Sequence, residues 1–321
     1  MKKKLKIGVL FGGKSAEHEV SIMSAKNVTG ALDKNKYQIF PVKISRNGEF
    51  NLNSLQKMDV IFPVLHGPFG EDGSMQGLLK ILNLPFVGPG VLGSAVSMDK
   101  DIMKRLFREA KISIGKFVTI YKGEKIPFKK IAKTLGLPVF VKPVNMGSSV
   151  GIHKVKNEKE WKEALKDAFQ YDSKIIVEEA INGKEIECSV LGNEHPVASL
   201  PGEIIANQEF YSYDAKYIDQ GSITVIPAKL DKNTIKKIQD IAVKAFKVLD
   251  CEGMGRVDFF VRKNGEVLVN EINTIPGFTN ISMYPKLWEA SGLPFKKLLD
   301  KLINLAIGRF KREQKLKTTV S

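Results

Sequence analysis

An apolar run at residues 5–11 ends at Gly12-Gly13 and gives way to a stretch with helical spacing. No other feature restricts the fold as much. A strand that is apolar on both faces must be covered on both, and a helix entered through a tight glycine turn folds back onto the sheet. Val20, Met23, Val28, Ala31 and Leu32 cover about half of that helix, which fits an amphipathic element. Ser15 is its candidate N-cap, and Glu17 and Glu19 lie where a helix start favours negative charge. Further strands are expected at 38–44 and 59–65, the second at an edge or cut short by Pro63, with a helix at 74–82. This alternation predicts an α/β unit with a Rossmann-like parallel sheet. Ligands of such sheets collect at the C-terminal strand ends, here Phe11 to Ser15 and Leu65-His66-Gly67.

The remainder reads as α+β. Gly88-Pro89-Gly90 is a break. Beyond it a helix is expected at 98–111, strands at 139–142, 151–154 and 174–179, and a helix at 158–169. A third unit opens near Glu185 with a polar stretch at 204–222, a helix at 232–249, a hairpin at 255–273 and a final helix at 294–308. The expected domains are 1–95, 96–184 and 185–321. Residues 309–317 carry five basic residues and one acid, and read as a solvated, frayed tail rather than a nucleic-acid arm.

With 43% hydrophobic and 26% charged residues in 321, long disorder, collagen and disulfide miniproteins are excluded. Fifty Lys and Arg against 35 Asp and Glu give +15, which permits nucleic acid, anionic membrane or phosphorylated small molecules without choosing among them. Cys188 and Cys251 form no C-x-x-C pair and read as reduced thiols of a cytoplasmic protein. The N-terminal apolar run is too short for a signal peptide. No apolar run of about 18 residues occurs, so no membrane span is expected.

Gly8 to Ser15 satisfies the spacing G-x-x-x-x-G-K-S of a P-loop. Its context argues otherwise: the phosphate loop would contain Val9, Leu10 and Phe11, which belong in a core. A strand, a glycine turn and a helix start are the better reading.

The hairpin carries the chemistry. Val257, Phe259 and Val261 share a face with Leu268 and Ile272. The other face takes Arg256, Asp258 and Phe260, with Val269, Glu271 and Asn273. A four-residue loop over 263–266 sets Asp258 opposite Glu271 and Arg256 opposite Asn273. Adjacent carboxylates repel unless a hard cation or a base offsets them. Asp258, Glu271 and Asn273 are therefore candidate Mg²⁺ ligands, which implies a nucleotide. The alternative is a surface hairpin salt-bridged by Arg256 and Arg262. Asn273-Thr274-Ile275-Pro276-Gly277 then makes a turn whose N–H groups can face an oxyanion. A second element runs from Lys142 through Gly147, Ser148 and Ser149 to Gly151; it offers a phosphate-suited cation, N–H groups and hydroxyls. A strand ending in Glu178 and Glu179 can present backbone to an adenine edge, with Glu185 left for ribose hydroxyls.

In this order these pieces resemble the D-alanine–D-alanine ligase family of the ATP-grasp superfamily. The resemblance rests on Gly12 to Ser21, on Leu65-His66-Gly67 with Gly70 to Gly73, and on Ser97 to Lys100. It continues through Lys142-Pro143 with Gly147 to Gly151, Phe210-Tyr211 with Tyr213 to Tyr217, Gly255 to Asp258, Asn270 to Thr274 and Pro276-Gly277. It implies a three-domain enzyme that takes ATP, two Mg²⁺ ions (Mn²⁺ as an alternative) and two D-alanines, acts for peptidoglycan precursor synthesis, and forms a cytoplasmic homodimer without nucleic-acid or membrane partners. By the same resemblance Glu17 anchors the first substrate's ammonium, and His66 lies near it. Ser148 and Tyr217 form the hydrogen-bonded pair that closes over the site with Glu17. Lys100, Lys142 and Lys216 hold nucleotide phosphates with Gly147, Ser148 and Ser149. Glu178, Ala180, Ile181 and Glu185 contact adenosine. Asp258, Glu271 and Asn273 hold metal, and Arg256 and the Gly277 N–H stabilise the oxyanion. Ser282 and Met283 receive the second substrate. Tyr217 stands where relatives that make the D-lactate ester resemble a phenylalanine, which favours D-alanine as acceptor. The stretch 204–222 corresponds to a lid. Ser212 and Pro68-Phe69 depart from the family pattern. Another carboxylate–amine ligase of the superfamily and a basic nucleic-acid binder are the competing readings.

Overall fold

The first strand, β1 (Leu5–Gly12), lies at the centre of a three-stranded parallel sheet in the order β2–β1–β3, with β2 at Tyr37–Ile44 and β3 at Val60–Pro63. The computed structural model describes residues 3–205 and 223–317. Pro63 ends β3, as its missing N–H requires. Helix α1 (His18–Ala31) follows the glycine turn. Gly12 and Gly13 have φ of +94° and +92°, and a Cβ on Gly12 would come within 2.3 Å of the Ile44 carbonyl oxygen. That turn admits only glycine. The P-loop reading is excluded by position, because Gly8 to Leu10 lie buried within the strand and the Lys14 ammonium lies 5.6 Å from the Phe69 ring centroid. Ser15 is not the N-cap. That place belongs to Glu17, while the Ser15 hydroxyl donates to the His66 carbonyl at 2.6 Å and accepts the Glu17 N–H.

Helices α2 (Leu52–Leu55) and α3 (Ser74–Ile81) complete the unit. The helix expected over 98–111 is α5 (Lys100–Glu109), and a separate helix without counterpart in the sequence reading, α4 (Val91–Met98), precedes it. They part at Asp99, whose carboxylate accepts the N–H groups of Asp101 and Ile102 and so caps α5.

The central part is a four-stranded antiparallel sheet, β4–β7–β5–β6, with β4 at Phe117–Tyr121, β5 at Val139–Pro143, β6 at His153–Val155 and β7 at Lys174–Glu179. Helices α6 (Phe128–Leu135) and α7 (Glu158–Tyr171) bury Ile131, Trp161, Ala164 and Ala168 against it. Strand β4 and helix α6 have no counterpart in the sequence reading.

Among the described residues the third sheet has six antiparallel strands. Strand β8 (Gly183–Gly192) pairs with β9 (Val197–Ala198), β10 (Gly202–Ile205) and β12 (Gly253–Arg262); β10 also pairs with β11 (Ile223–Val225), and β12 with β13 (Val267–Asn273). Helix α8 (Lys232–Val248) covers one face, and α9 (Met283–Ala290) and α10 (Phe295–Glu313) follow the hairpin.

Asp258 faces Glu271 and Arg256 faces Asn273, as expected, but through a different loop. The turn spans only Lys263 to Gly265, closed by the Arg262 N–H on the Glu266 carbonyl at 2.9 Å. A bulge between Asp258 and Phe259 restores the register by leaving Asn270 extra. Beyond the bulge Val269 pairs with Phe259 and joins the core, and Leu268 faces Phe260, which reverses the faces expected for Leu268 and Val269.

The basic stretch at 309–317 is not a frayed tail, since α10 runs to Glu313. Arg309 is buried and donates to the carbonyls of Gly88 at 2.5 Å and Phe86 at 2.9 Å. Residues of α9 and α10 share a core with Ile7, Val9, Val60 and Phe62 of the first sheet, so the N- and C-terminal parts meet over one hydrophobic layer.

Candidate active site

A cleft of about 580 Å³ opens where β8, β12 and β13 face the start of α1 and the loop after β5. Its wall holds Glu17, His66, Lys100, Gly147, Ser148, Glu185, Arg256, Asp258, Glu271, Asn273, Gly277, Ser282 and Met283. These come from seven stretches between residues 17 and 283, and most of the sequence-derived set is among them. Lys142, Ser149, Glu178, Ala180 and Ile181 are not on this wall. Lys216 and Tyr217 lie outside the described residues.

The two ends of the chain's first half meet at Glu17, whose carboxylate accepts a short hydrogen bond from the Ser148 hydroxyl. A Cβ on Gly67 would stand 2.8 Å from Glu17 Oε2, and one on Gly147 would stand 3.1 Å away. Both glycines therefore make room for this carboxylate. Ser148 and Ser149 have φ of +49° and +63°. Consecutive left-handed non-glycine residues are strained, and such strain clusters at functional sites.

His66 is buried and fully engaged. Its Nδ1 lies 2.9 Å from the Ile275 carbonyl oxygen and its Nε2 3.1 Å from the Ser24 hydroxyl, which itself accepts the Phe278 N–H. The Ile275 carbonyl can only accept, so the hydrogen sits on Nδ1 and the Ser24 hydroxyl donates to Nε2. Burial, despite Glu17 nearby, lowers the imidazole's pKa. His66 thus joins β3's exit loop to the Ile275 turn. Neither ring nitrogen is open to a substrate in this arrangement.

Glu71 had no role in the sequence reading although it lies inside the Gly70 to Gly73 motif. Its two oxygens accept the Gly67 N–H at 2.8 Å and the Ile275 N–H at 3.0 Å. Burial, reinforced by Glu17, pushes its carboxyl up to about 8 against the two N–H donors and Arg256.

On the sheet, Glu187, Asp258 and Glu271 stand in one row across β8, β12 and β13. Arg256 holds Asp258 with two hydrogen bonds of 2.7 Å, from Nε and an Nη, and the Asn273 amide donates to the same carboxylate at 3.0 Å. The Lys100 ammonium lies 3.8 Å from Glu271 and donates to the Met146 carbonyl at 2.7 Å. Glu187 was also missed. Its signal is its alternation with Glu185, which puts both acids on one face of β8.

Beneath the cleft, the buried Glu178 carboxylate bridges two ammonium groups, Lys104 at 2.7 Å and Lys142 at 2.5 Å. Burial opposes its charge, yet the two lysines outweigh burial and hold it well below the usual carboxylate range. For Lys142 burial again works against the charge, and Glu178 with Glu271 leaves it above the ordinary lysine value. Lys104 was missed; it lies one turn beyond Lys100 on α5. The Ala180 N–H is spent on the Pro138 carbonyl.

At the far end, a Cβ on Gly277 would meet the Ser282 hydroxyl at 2.6 Å. That hydroxyl accepts the Thr279 N–H at 3.0 Å, so the Gly277 turn and the start of α9 are packed as one piece.

Family models described as D-ala D-ala ligase C-terminus and D-ala D-ala ligase N-terminus match residues 106–304, and 6–57 with 50–89. The D-alanine–D-alanine ligase of Oceanobacillus iheyensis is 49% identical, over 99% of this chain and 99% of its own. The chain belongs to the D-alanine–D-alanine ligase family. Among solved members, the ligase of Coxiella burnetii superposes with a TM-score of 0.88 at 44% identity, covering 97% of this chain and 96% of that one. The Bacillus anthracis ligase complexed with ATP gives 0.83 at 32% identity, over 96% and 99%. The family's ATP-grasp architecture therefore fits the whole described chain, and the cleft is where the family signature converges. Cys188 and Cys251 are buried behind its wall and do not line it, with burial pushing each thiol up to about 12. Among the described residues no helix is long and apolar enough to cross a membrane.

Proposed function

We propose that this chain is an ATP-dependent ligase that joins two D-alanine molecules for peptidoglycan precursor synthesis in the cytoplasm. The observation that carries the reading is the junction of Glu17–Ser148 with the Arg256–Asp258–Glu271–Asn273 face across one cleft. A carboxylate is a poor acylating agent, so one D-alanine carboxylate first attacks the γ-phosphorus of ATP. ADP leaves and a D-alanyl phosphate forms. The amine of the second D-alanine attacks that carbonyl, and phosphate departs with the carbon–oxygen pair. Glu17 supplies an enclosed anion for the first substrate's ammonium. Arg256 and the Gly277 N–H lie on the wall where charge develops on phosphate and on the tetrahedral carbon. Lys100, Lys142 and the Gly147–Ser149 loop hold phosphates, with Lys216 from outside the described residues, and Glu178, Ala180, Ile181 and Glu185 take the adenosine. Ser282 and Met283 receive the second substrate, and Tyr217 completes the closure with Ser148.

The donor set fits magnesium. Asp258, Glu271 and Asn273 offer oxygen only, on paired positions of adjacent strands. Magnesium keeps several waters and binds substrate phosphates, which would complete the shell. Bound there, magnesium or manganese would neutralise phosphate charge. The division into 1–95, 96–184 and 185–321 and a homodimer complete the proposal.

The test is phosphate release from ATP and Mg²⁺ with D-alanine, L-alanine and a panel of other amino acids, paired with the mass of the product. Release only with D-alanine and a D-alanyl-D-alanine mass are expected. Turnover that ignores D-alanine would falsify the reading, and turnover with a different pair would reassign the substrates.

A further inference from the structure

Arg256 sits between two carboxylates on neighbouring strands. Its Nε is 2.7 Å from Asp258 Oδ1 and 3.0 Å from Glu187 Oε2. A guanidinium Nε carries one hydrogen, and here that hydrogen is given to Asp258. Glu187 is buried, and the β8–β12 ladder sets it directly opposite Asp258, with Ser189 opposite Arg256. Arg256 and Glu187 are thus diagonal neighbours on one face, within reach of a long side chain. Turning the Nε–H from one acid to the other needs a small side-chain rotation and no movement of the sheet.

We propose that Glu187 is a positioning residue that gives Arg256 a second seat. The inference rests on the reading above that Asp258 is a magnesium ligand. While Asp258 is bare, Arg256 neutralises it. A cation on Asp258 displaces the guanidinium, which then settles on Glu187 instead of leaving for solvent. Arg256 therefore stays on the cleft wall when nucleotide is bound. Without Glu187 the cation and Arg256 compete for one carboxylate.

The experiment measures Mn²⁺ affinity in the presence of a non-hydrolysable ATP analogue, from the free-ion electron paramagnetic resonance signal. The proteins are wild type, Glu187→Gln and Glu187→Ala, each checked for an unchanged melting temperature. Glutamine keeps an acceptor without the charge. Affinity should fall about threefold in Glu187→Gln and about tenfold in Glu187→Ala. Equal losses in both variants would mean a simple field effect and overturn the second seat, as would unchanged affinity. A crystal structure of the wild-type Mn²⁺ complex supplies a second readout: Arg256 Nε should lie within hydrogen-bond distance of Glu187 and away from Asp258. Wild type that binds no Mn²⁺ brings down the magnesium reading and this inference with it. Wild type that binds Mn²⁺ with Arg256 still on Asp258 sinks the inference alone.

Discussion

The residues of this cleft are held by charge neighbours whose removal has different signatures. Asp258→Asn and Glu271→Gln each leave the strand pairing intact but remove an anionic ligand of the cation that would offset phosphate. Turnover should fall by at least about a hundredfold in each, with the fold retained by circular dichroism; near-normal turnover in either would remove that side chain from the metal set. Glu71 gives a pH signature. Its folded carboxyl, at about 8, lies above the 4.5 of an ordinary glutamate. Between those values the folded protein keeps a proton that the unfolded chain releases, so this group lowers stability as pH rises from about 4.5 to about 8. Glu71→Gln should therefore gain stability relative to wild type across that interval, read as the difference of two melting-temperature profiles. Profiles that run parallel from pH 5 to 8 would contradict the burial argument.

At the scale of elements, the Glu178 carboxylate ties α5 to β5 and β7 through Lys104 and Lys142. Breaking a buried ion network by removing one sign leaves the other uncompensated, which costs about 3–5 kcal/mol. Glu178→Gln should lose stability of that order in urea unfolding, and a loss below about 1 kcal/mol would mean that the lysines find water instead. The hairpin shows how far such elements were legible beforehand. Period-two alternation was enough to pair Asp258 with Glu271. It did not distinguish a four-residue loop from a shorter turn plus a bulge, because both leave the same residues opposite near the open end. The faces of Leu268 and Val269 differ between the two, and only packing decides. Asp99 was a readable cap, one residue inside the start expected for its helix. Arg309 was not readable, since its carbonyl partners at Phe86 and Gly88 are more than 200 residues away. Glu71 lay inside a motif that was recognised, and Glu187 two residues beyond Glu185; what was missing was the neighbour that each one touches.

For the whole molecule, the proposed homodimer must bring together two chains of +15 each. That repulsion needs an apolar contact to overcome it. Helices α3 and α4 pack against each other, and they expose Ile81 at 84% and Leu92 at 58%. Two large aliphatic side chains this open, on one helix pair, favour that surface as the contact. Ile81→Asp combined with Leu92→Asp should convert a dimer to a monomer in sedimentation equilibrium, with phosphate release per chain measured alongside. Salt separates the causes. An apolar contact between two cationic chains should tighten as added salt screens their repulsion, whereas a contact built on opposite charges should loosen. A dimer that survives the double substitution, or one that dissociates as salt rises, would place the interface elsewhere.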